Sequence, residues 1–116
     1  MKNLVNRVQL IGNLGKDVQS TDLTSGATKA TVSLATTDAY YNKAGDQVKE
    51  TQWHNLVAWG KTAERMCNML AKGSKVAVQG KLSNRSYEDK EGVTKYITEI
   101  IVSEFMILKG TLQEAS

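Results

Sequence analysis

From Lys29 to Thr37 apolar and polar side chains alternate: Ala30, Val32 and Leu34 share one parity, Lys29, Thr31 and Ser33 the other. A period of two belongs to an extended chain with one buried face, so this segment predicts a strand with its even positions inward. Val76, Val78, Gly80 and Leu82 alternate in the same way with Lys75, Ala77, Gln79 and Lys81. They predict a second strand, which Arg85-Ser86-Tyr87-Glu88 carries towards a turn at Asp89-Lys90-Glu91-Gly92. Val5 to Leu14 is rich in Val, Leu and Ile and predicts a strand that becomes irregular at Gly12-Asn13-Leu14-Gly15, where a bulge or tight bend is expected. Ser20 to Gly26 reads as a turn. Tyr40 to Lys49 is a polar excursion, expected as a hairpin turning at Ala44-Gly45-Asp46. Thr51 to Trp59 is a strand with Trp53, Asn55, Val57 and Trp59 on odd positions and Gln52, His54, Leu56 and Ala58 on even ones. Val93 to Val102 is a further strand, and Glu104 to Leu108 a short last one.

One stretch changes period. Gly60-Lys61-Thr62 leads into Ala63, Met66, Cys67 and Leu70, the i, i+3, i+4, i+7 spacing of an amphipathic helix about three turns long. Lys72-Gly73 is read as its basic last turn and terminal glycine. Strands, then one helix, then strands is the element order of an OB-fold. The expected fold class is therefore mainly β: a five-stranded Greek-key barrel with one short helix between its third and fourth strands. An open α+β sheet has the same order of elements; closure is favoured because it protects short antiparallel edges.

The chain has 116 residues, no proline and no internal repeat, which predicts one domain over residues 1–110 and a short C-terminal remnant, 111–116. A net charge of +3 permits a polyanionic partner without requiring one. The single cysteine, Cys67, excludes an intrachain disulfide and sits on the apolar face of the helix, as an inert thiol would. The first residues, Met1 to Arg7, lack the apolar run of a signal peptide, and no apolar stretch reaches the length of a membrane span. A soluble cytoplasmic protein is expected, with no membrane partner.

The catalytic inventory is poor. His54 is the one histidine; a lone histidine beside an apolar strand suits a hydrogen-bonded structural or interface role. A Cys67–His54 dyad has no supporting motif. Zinc-ligand and phosphate-loop patterns are missing, and Gly12 to Asp17 lacks the spacing of the latter. No enzyme activity, metal or cofactor is expected.

The aromatic residues say more. Trp53 and Trp59 are six apart, so a strand points both to one face, opposite the core-suited Leu56 and Ala58. Two rings there suit base stacking, which any base accepts; they equally suit core or interface anchors. Tyr40 precedes Lys43, and Tyr87 follows Arg85 by two, on the same face of an extended segment. These tyrosines fit either unstacked bases or solvated hairpins. Arg7, Lys43, Lys49, Lys61, Lys72, Lys81 and Arg85 are interleaved with the rings. Clustered in a groove they would neutralise phosphates; scattered, they are ordinary solvated charge.

Several collinear stretches resemble bacterial single-stranded-DNA-binding proteins over roughly residues 3 to 108. Val5-Asn6-Arg7-Val8-Gln9-Leu10-Ile11-Gly12-Asn13-Leu14-Gly15-Lys16-Asp17 resembles their first strand, and Leu34-Ala35-Thr36-Thr37 the end of their second. Trp53 to Glu64 resembles their third strand and helix start, with Leu70 to Val76 and Val78 to Leu82 following in order. The resemblance implies an OB-fold, assembled as a homotetramer, that binds single-stranded DNA in the nucleoid during replication, recombination and repair. It implies base stacking at Tyr40, Trp53, Trp59 and Tyr87. It implies phosphate contacts at Arg7, Lys43, Lys49, Lys61, Lys72 and Arg85, and a subunit-contact role for His54. Tyrosine stands at 40 and 87 where well-known members carry tryptophan, so weaker stacking is expected there. Members usually continue into a flexible linker and an acidic tip that recruits replication and repair enzymes. This sequence ends Gln113-Glu114-Ala115-Ser116, which leaves that recruitment in doubt. An OB-fold subunit of a primosome or recombination complex, acting mainly through protein contacts, is the alternative. An oligosaccharide-binding barrel or small hydrolase fits less well, since either needs a polar or carboxylate cluster in the groove.

Overall fold

The computed structural model describes residues 5–23 and 26–109; the expected remnant 111–116 and part of the expected turn, Thr24 and Ser25, lie outside them. The elements are β1 (Val8–Leu14), β2 (Gln19–Asp22), β3 (Thr28–Tyr41), β4 (Gln47–Trp59), α1 (Gly60–Met69), β5 (Lys75–Glu88) and β6 (Thr94–Lys109). The sheet runs β1-β5-β6-β4-β3-β2, and β1 also pairs with β3, which closes a five-stranded barrel. All pairings are antiparallel except β4 with β6. This is the expected OB-fold barrel, with the helix between β4 and β5.

The sixth strand is a correction to the expected turn. Gln19–Asp22 pairs with Thr28–Thr31, just as Asn13 and Leu14 pair with Ala35 and Leu34 further along β3. β1 and β2 are thus two pieces of one bent strand laid along β3. Gln19–Asp22 is exposed throughout and carries no alternation, so its extended form comes from its partner alone.

Alternation dictates the core. Ala30, Val32 and Leu34 on β3, Leu56 and Ala58 on β4, Val76 and Val78 on β5, and Ile100 and Val102 on β6 are all buried. Val57, an odd position, is buried as well. Ala63 and Met66 of α1, with Leu70 just past its last residue, join the same cluster, so the apolar stripe of the helix packs onto the core of the barrel. The helix ends at Met69 with Leu70 as its cap, so Lys72-Gly73 lies beyond it rather than in its last turn. The connection is instead tied to β1: Gly73 N–H donates to Leu14 O, and Leu14 N–H to Ser74 O, both at 3.0 Å.

Where strands cross closest, glycine is a steric requirement. A methyl group on Gly12 would run into the carbonyl oxygen of Ala35, and one on Gly80 into that of Ile101. Gly80 also marks a bulge. Its partner is Val102 while that of Gln79 is Glu104, leaving Ser103 unpaired; Ser103 Oγ donates to Gln79 O at 3.0 Å. This extra residue keeps β6 continuous, where the sequence suggested two strands. Both long hairpins turn on an Asx device. Asn42 Oδ1 accepts from the N–H groups of Ala44 and Asp46, at the expected turn. Asp89 Oδ1 accepts from those of Glu91 and Val93.

Candidate nucleic-acid interface

The odd positions of β3, β4 and β5, and those of β6 as far as Ile101, face outwards and are aligned in register. On β4 and β3, Trp53 lies opposite Ala35, Asn55 opposite Ser33, Val57 opposite Thr31 and Trp59 opposite Lys29. Asn55 and Val57 are flanked on the other side by Glu99 and Ile101 of β6. Beyond these, β5 presents Lys81 beside Ile101, Ser83 beside Glu99, Arg85 beside Ile97 and Tyr87 beside Lys95.

The two tryptophans stand on this outer wall, Trp53 at 62% and Trp59 at 46% exposure. Six residues of strand separate them by about 20 Å. For rings of this size such exposure decides against core anchors. Trp53 leans on Gly15, where a methyl group would sit 2.5 Å from its Cζ3. Trp59 carries Lys29 Nζ 5.1 Å from its ring centroid, a cation–π contact. Between the rings opens a cleft of about 210 Å³, lined by Thr31, Ser33, Asn55, Val57, Ile97 and Glu99 and overhung by Lys16 and Gln19.

Tyr87 and Arg85 do share a face, and Tyr87 is half exposed. The guanidinium, however, already has a partner within the chain. Arg85 Nε donates to Glu99 Oε1 at 2.9 Å and Nη2 to Oε2 at 3.3 Å. The hydrogen bond and charge of Glu99 hold Arg85 protonated above its ordinary range. Its side chain keeps 51% exposure while that of Glu99 keeps 11%, so Arg85 covers the carboxylate and still meets solvent. Tyr40 has the parity of Leu34 and so faces away from Trp53 on the β3–β4 ribbon; its hydroxyl donates to Glu50 Oε1 at 3.2 Å.

The basic residues divide by position. Lys49 shares the outward parity of Trp53 on β4, and Lys43 lies in the β3–β4 turn. Lys61 is in the first turn of α1, two residues past Trp59. Lys72 lies beyond the far end of that helix, its N–H donating to Asp17 Oδ1 at 2.8 Å. Arg7 precedes β1 and shares a hollow of about 240 Å³ with Asn6, Gln79, Lys81 and Ser103. The outer wall therefore gathers Trp53, Trp59, Lys49, Arg85 and Tyr87, while Lys61 and Lys72 lie at opposite ends of the helix. His54 points inward and is half-buried, its Nε2 2.9 Å from Thr36 Oγ1.

Lys16, Lys29 and Glu99 on this wall were not singled out by sequence. Tyr41, 73% exposed and of the same parity as Trp53, was not either. The outward parity of Lys29 and Tyr41 was readable; their partners were not. Among the described residues no helix is long and apolar enough to cross a membrane.

The model of the single-strand binding protein family matches residues 5–108. The chain belongs to this family. It is 42% identical to single-stranded DNA-binding protein 1 of Xylella fastidiosa over 105 residues, covering 90% of this chain and 77% of that protein. It is 38% identical to the protein of the same name from Chlorobaculum tepidum, covering 90% of this chain and 65% of that one. Among solved structures it resembles a Plasmodium falciparum SSB in complex with ssDNA, with a TM-score of 0.84 and 31% identity over 90% of this chain and 96% of that one. A deletion mutant of the Thermus aquaticus single-stranded DNA binding protein matches with a TM-score of 0.79 and 25% identity, covering 92% of this chain and 52% of that one. The chain thus spans just under two thirds of the Chlorobaculum protein and about half of the Thermus chain.

Proposed function

We propose that this protein binds single-stranded DNA without overall sequence preference and holds it extended over the outer wall of β3, β4, β5 and β6. The observation that carries this reading is the exposure of Trp53 and Trp59 on one outward face with lysines beside them. Bases stack on Trp53, Trp59, Tyr87 and, at the ribbon's other face, Tyr40. Arg7, Lys43, Lys49, Lys61, Lys72 and Arg85 neutralise phosphates along the strand's path. The protein works by sequestration rather than catalysis, in the cytoplasm, where it shields exposed strands during replication, recombination and repair.

Residues 1–110 are the binding domain in this reading, and the working unit is a homotetramer. A strip on the remaining outer face supports that assembly: Ile11, Ala77 and Met106 lie side by side across β1, β5 and β6, with Ile11 and Met106 at least half exposed. A second copy is its natural cover, and His54 serves subunit contacts.

The test is the salt dependence of oligo-dT binding. If four to six phosphates are neutralised, the slope of log K against log salt is about −3 to −4, a loss of roughly a hundredfold between about 50 and 200 mM salt. A slope near zero, or equal affinity for duplex DNA, contradicts the reading and favours an OB-fold subunit that works through protein contacts.

A further inference from the structure

Lys29 stands in the middle of a three-strand row. On β3 it lies opposite Thr21 of β2 on one side and Trp59 of β4 on the other, so its backbone is fixed in a ladder on both sides. Its odd parity sends the side chain to the outer wall, where Nζ lies 5.1 Å from the centre of the Trp59 ring. The quadrupole of an indole attracts an ammonium, but a ring carries no formal charge to neutralise it. Among the described residues no carboxylate pairs with Lys29. Arg85 differs, since Glu99 already neutralises it. The charge of Lys29 is thus placed by an aromatic ring and left for an anion from outside.

We propose that Lys29 is a positioning residue that joins the two parts of binding at Trp59: it backs the ring for a stacking base and takes the phosphate of that same nucleotide. The inference rests on the single-strand reading and adds to it one contact that depends on another. Trp59 keeps 46% exposure, and with Lys29 over one face the base takes the other. A stacked base brings its phosphate to the rim of the ring, within the sweep of a flexible four-carbon side chain rooted one strand away. An ammonium is a compact point charge with three donors, so it needs no paired geometry to meet that phosphate. Among the described residues Lys29 is the one lysine set over a ring. Without the indole, neither the base nor the ammonium is held at this place, so the contact is conditional on Trp59.

Lys29→Met keeps an unbranched apolar side chain against the ring and removes the charge. Oligo-dT affinity is measured against salt concentration for the wild type, Lys29→Met, Trp59→Ala and the double variant. Lys29→Met is expected to lose severalfold in affinity at low salt and to make the slope of log K against log salt shallower by about 0.7, the share of one phosphate on a single strand. In the Trp59→Ala background the same change is expected to lose less than about twofold, so the two losses fall short of adding. Lys29→Arg, which keeps the charge, restores the slope. A slope unchanged in Lys29→Met overturns the phosphate contact, and equal losses with and without Trp59 overturn the coupling. A wild type that does not bind oligo-dT overturns the single-strand reading instead.

Discussion

Trp53→Ala weakens oligo-dT binding by about one to two orders of magnitude, since a stacked base contributes roughly 1–3 kcal/mol. The fold should be indifferent to the change, because Trp53 is 62% exposed and lies on the outer wall, away from the core cluster. Trp59→Ala is expected to lose less, towards the lower end of that range. Its ring is 46% exposed and already carries Lys29 on one side. Gly15→Ala completes the series. Its methyl group would sit 2.5 Å from Trp53 Cζ3 and 2.9 Å from Cη2, so the ring must swing aside while the barrel stays intact. A partial loss of affinity with an unchanged circular dichroism spectrum is the expected signature. Affinities of the three variants that match the wild type would show that the tryptophans are bystanders.

Gly12→Ala and Gly80→Ala are expected to produce the largest losses of stability. In each case the added methyl group meets a backbone carbonyl, of Ala35 or Ile101. Backbone held in a ladder on both sides cannot move away as a flexible side chain does. Gly12 sits between β5 and β3, and Gly80 at the bulge between β5 and β6. Overpacking costs about 1–3 kcal/mol and occasionally more; two-sided backbone contact places these variants at or above the top of that range. For a domain of this size, about 3 kcal/mol lowers Tm by on the order of 10 °C. Thermal unfolding by circular dichroism checks it. Gly15→Ala is the internal comparison, expected to shift Tm far less because its obstacle is a ring with room to turn. Equal, small shifts for all three glycines would contradict the close-approach argument.

The barrel was legible because its inner wall is written as a parity. Ala30, Val32, Leu34, Leu56 and Ala58 are buried where the alternation puts them, and the same count sends both tryptophans outwards. The helix was legible from its change of period. β2 was not, since Gln19–Asp22 is polar and exposed and becomes a strand only by pairing with β3. The unbroken β6 was hidden by the bulged Ser103, which shifts the pattern by one residue. Within the candidate site, residue types were readable and pairings were not. Arg85 beside Tyr87 looked like a free cation; only the β5–β6 register brings Glu99, fourteen positions away, onto its guanidinium. Lys29 over Trp59 likewise depends on the β3–β4 register. The glycines at 12 and 15 announced irregularity without saying what they make room for, and Gly80 read only as one position of a regular alternation.

Trp53 and Trp59 are the only tryptophans of the chain, so intrinsic fluorescence reports on the proposed stacking surface directly. Titration with oligo-dT, repeated with duplex DNA and with the variants Trp53→Phe and Trp59→Phe, tests the central claim. Strong quenching by the single strand, little by the duplex, and a share of the quenching retained in each variant is the predicted result. An emission unchanged by saturating oligo-dT at low salt would contradict the account.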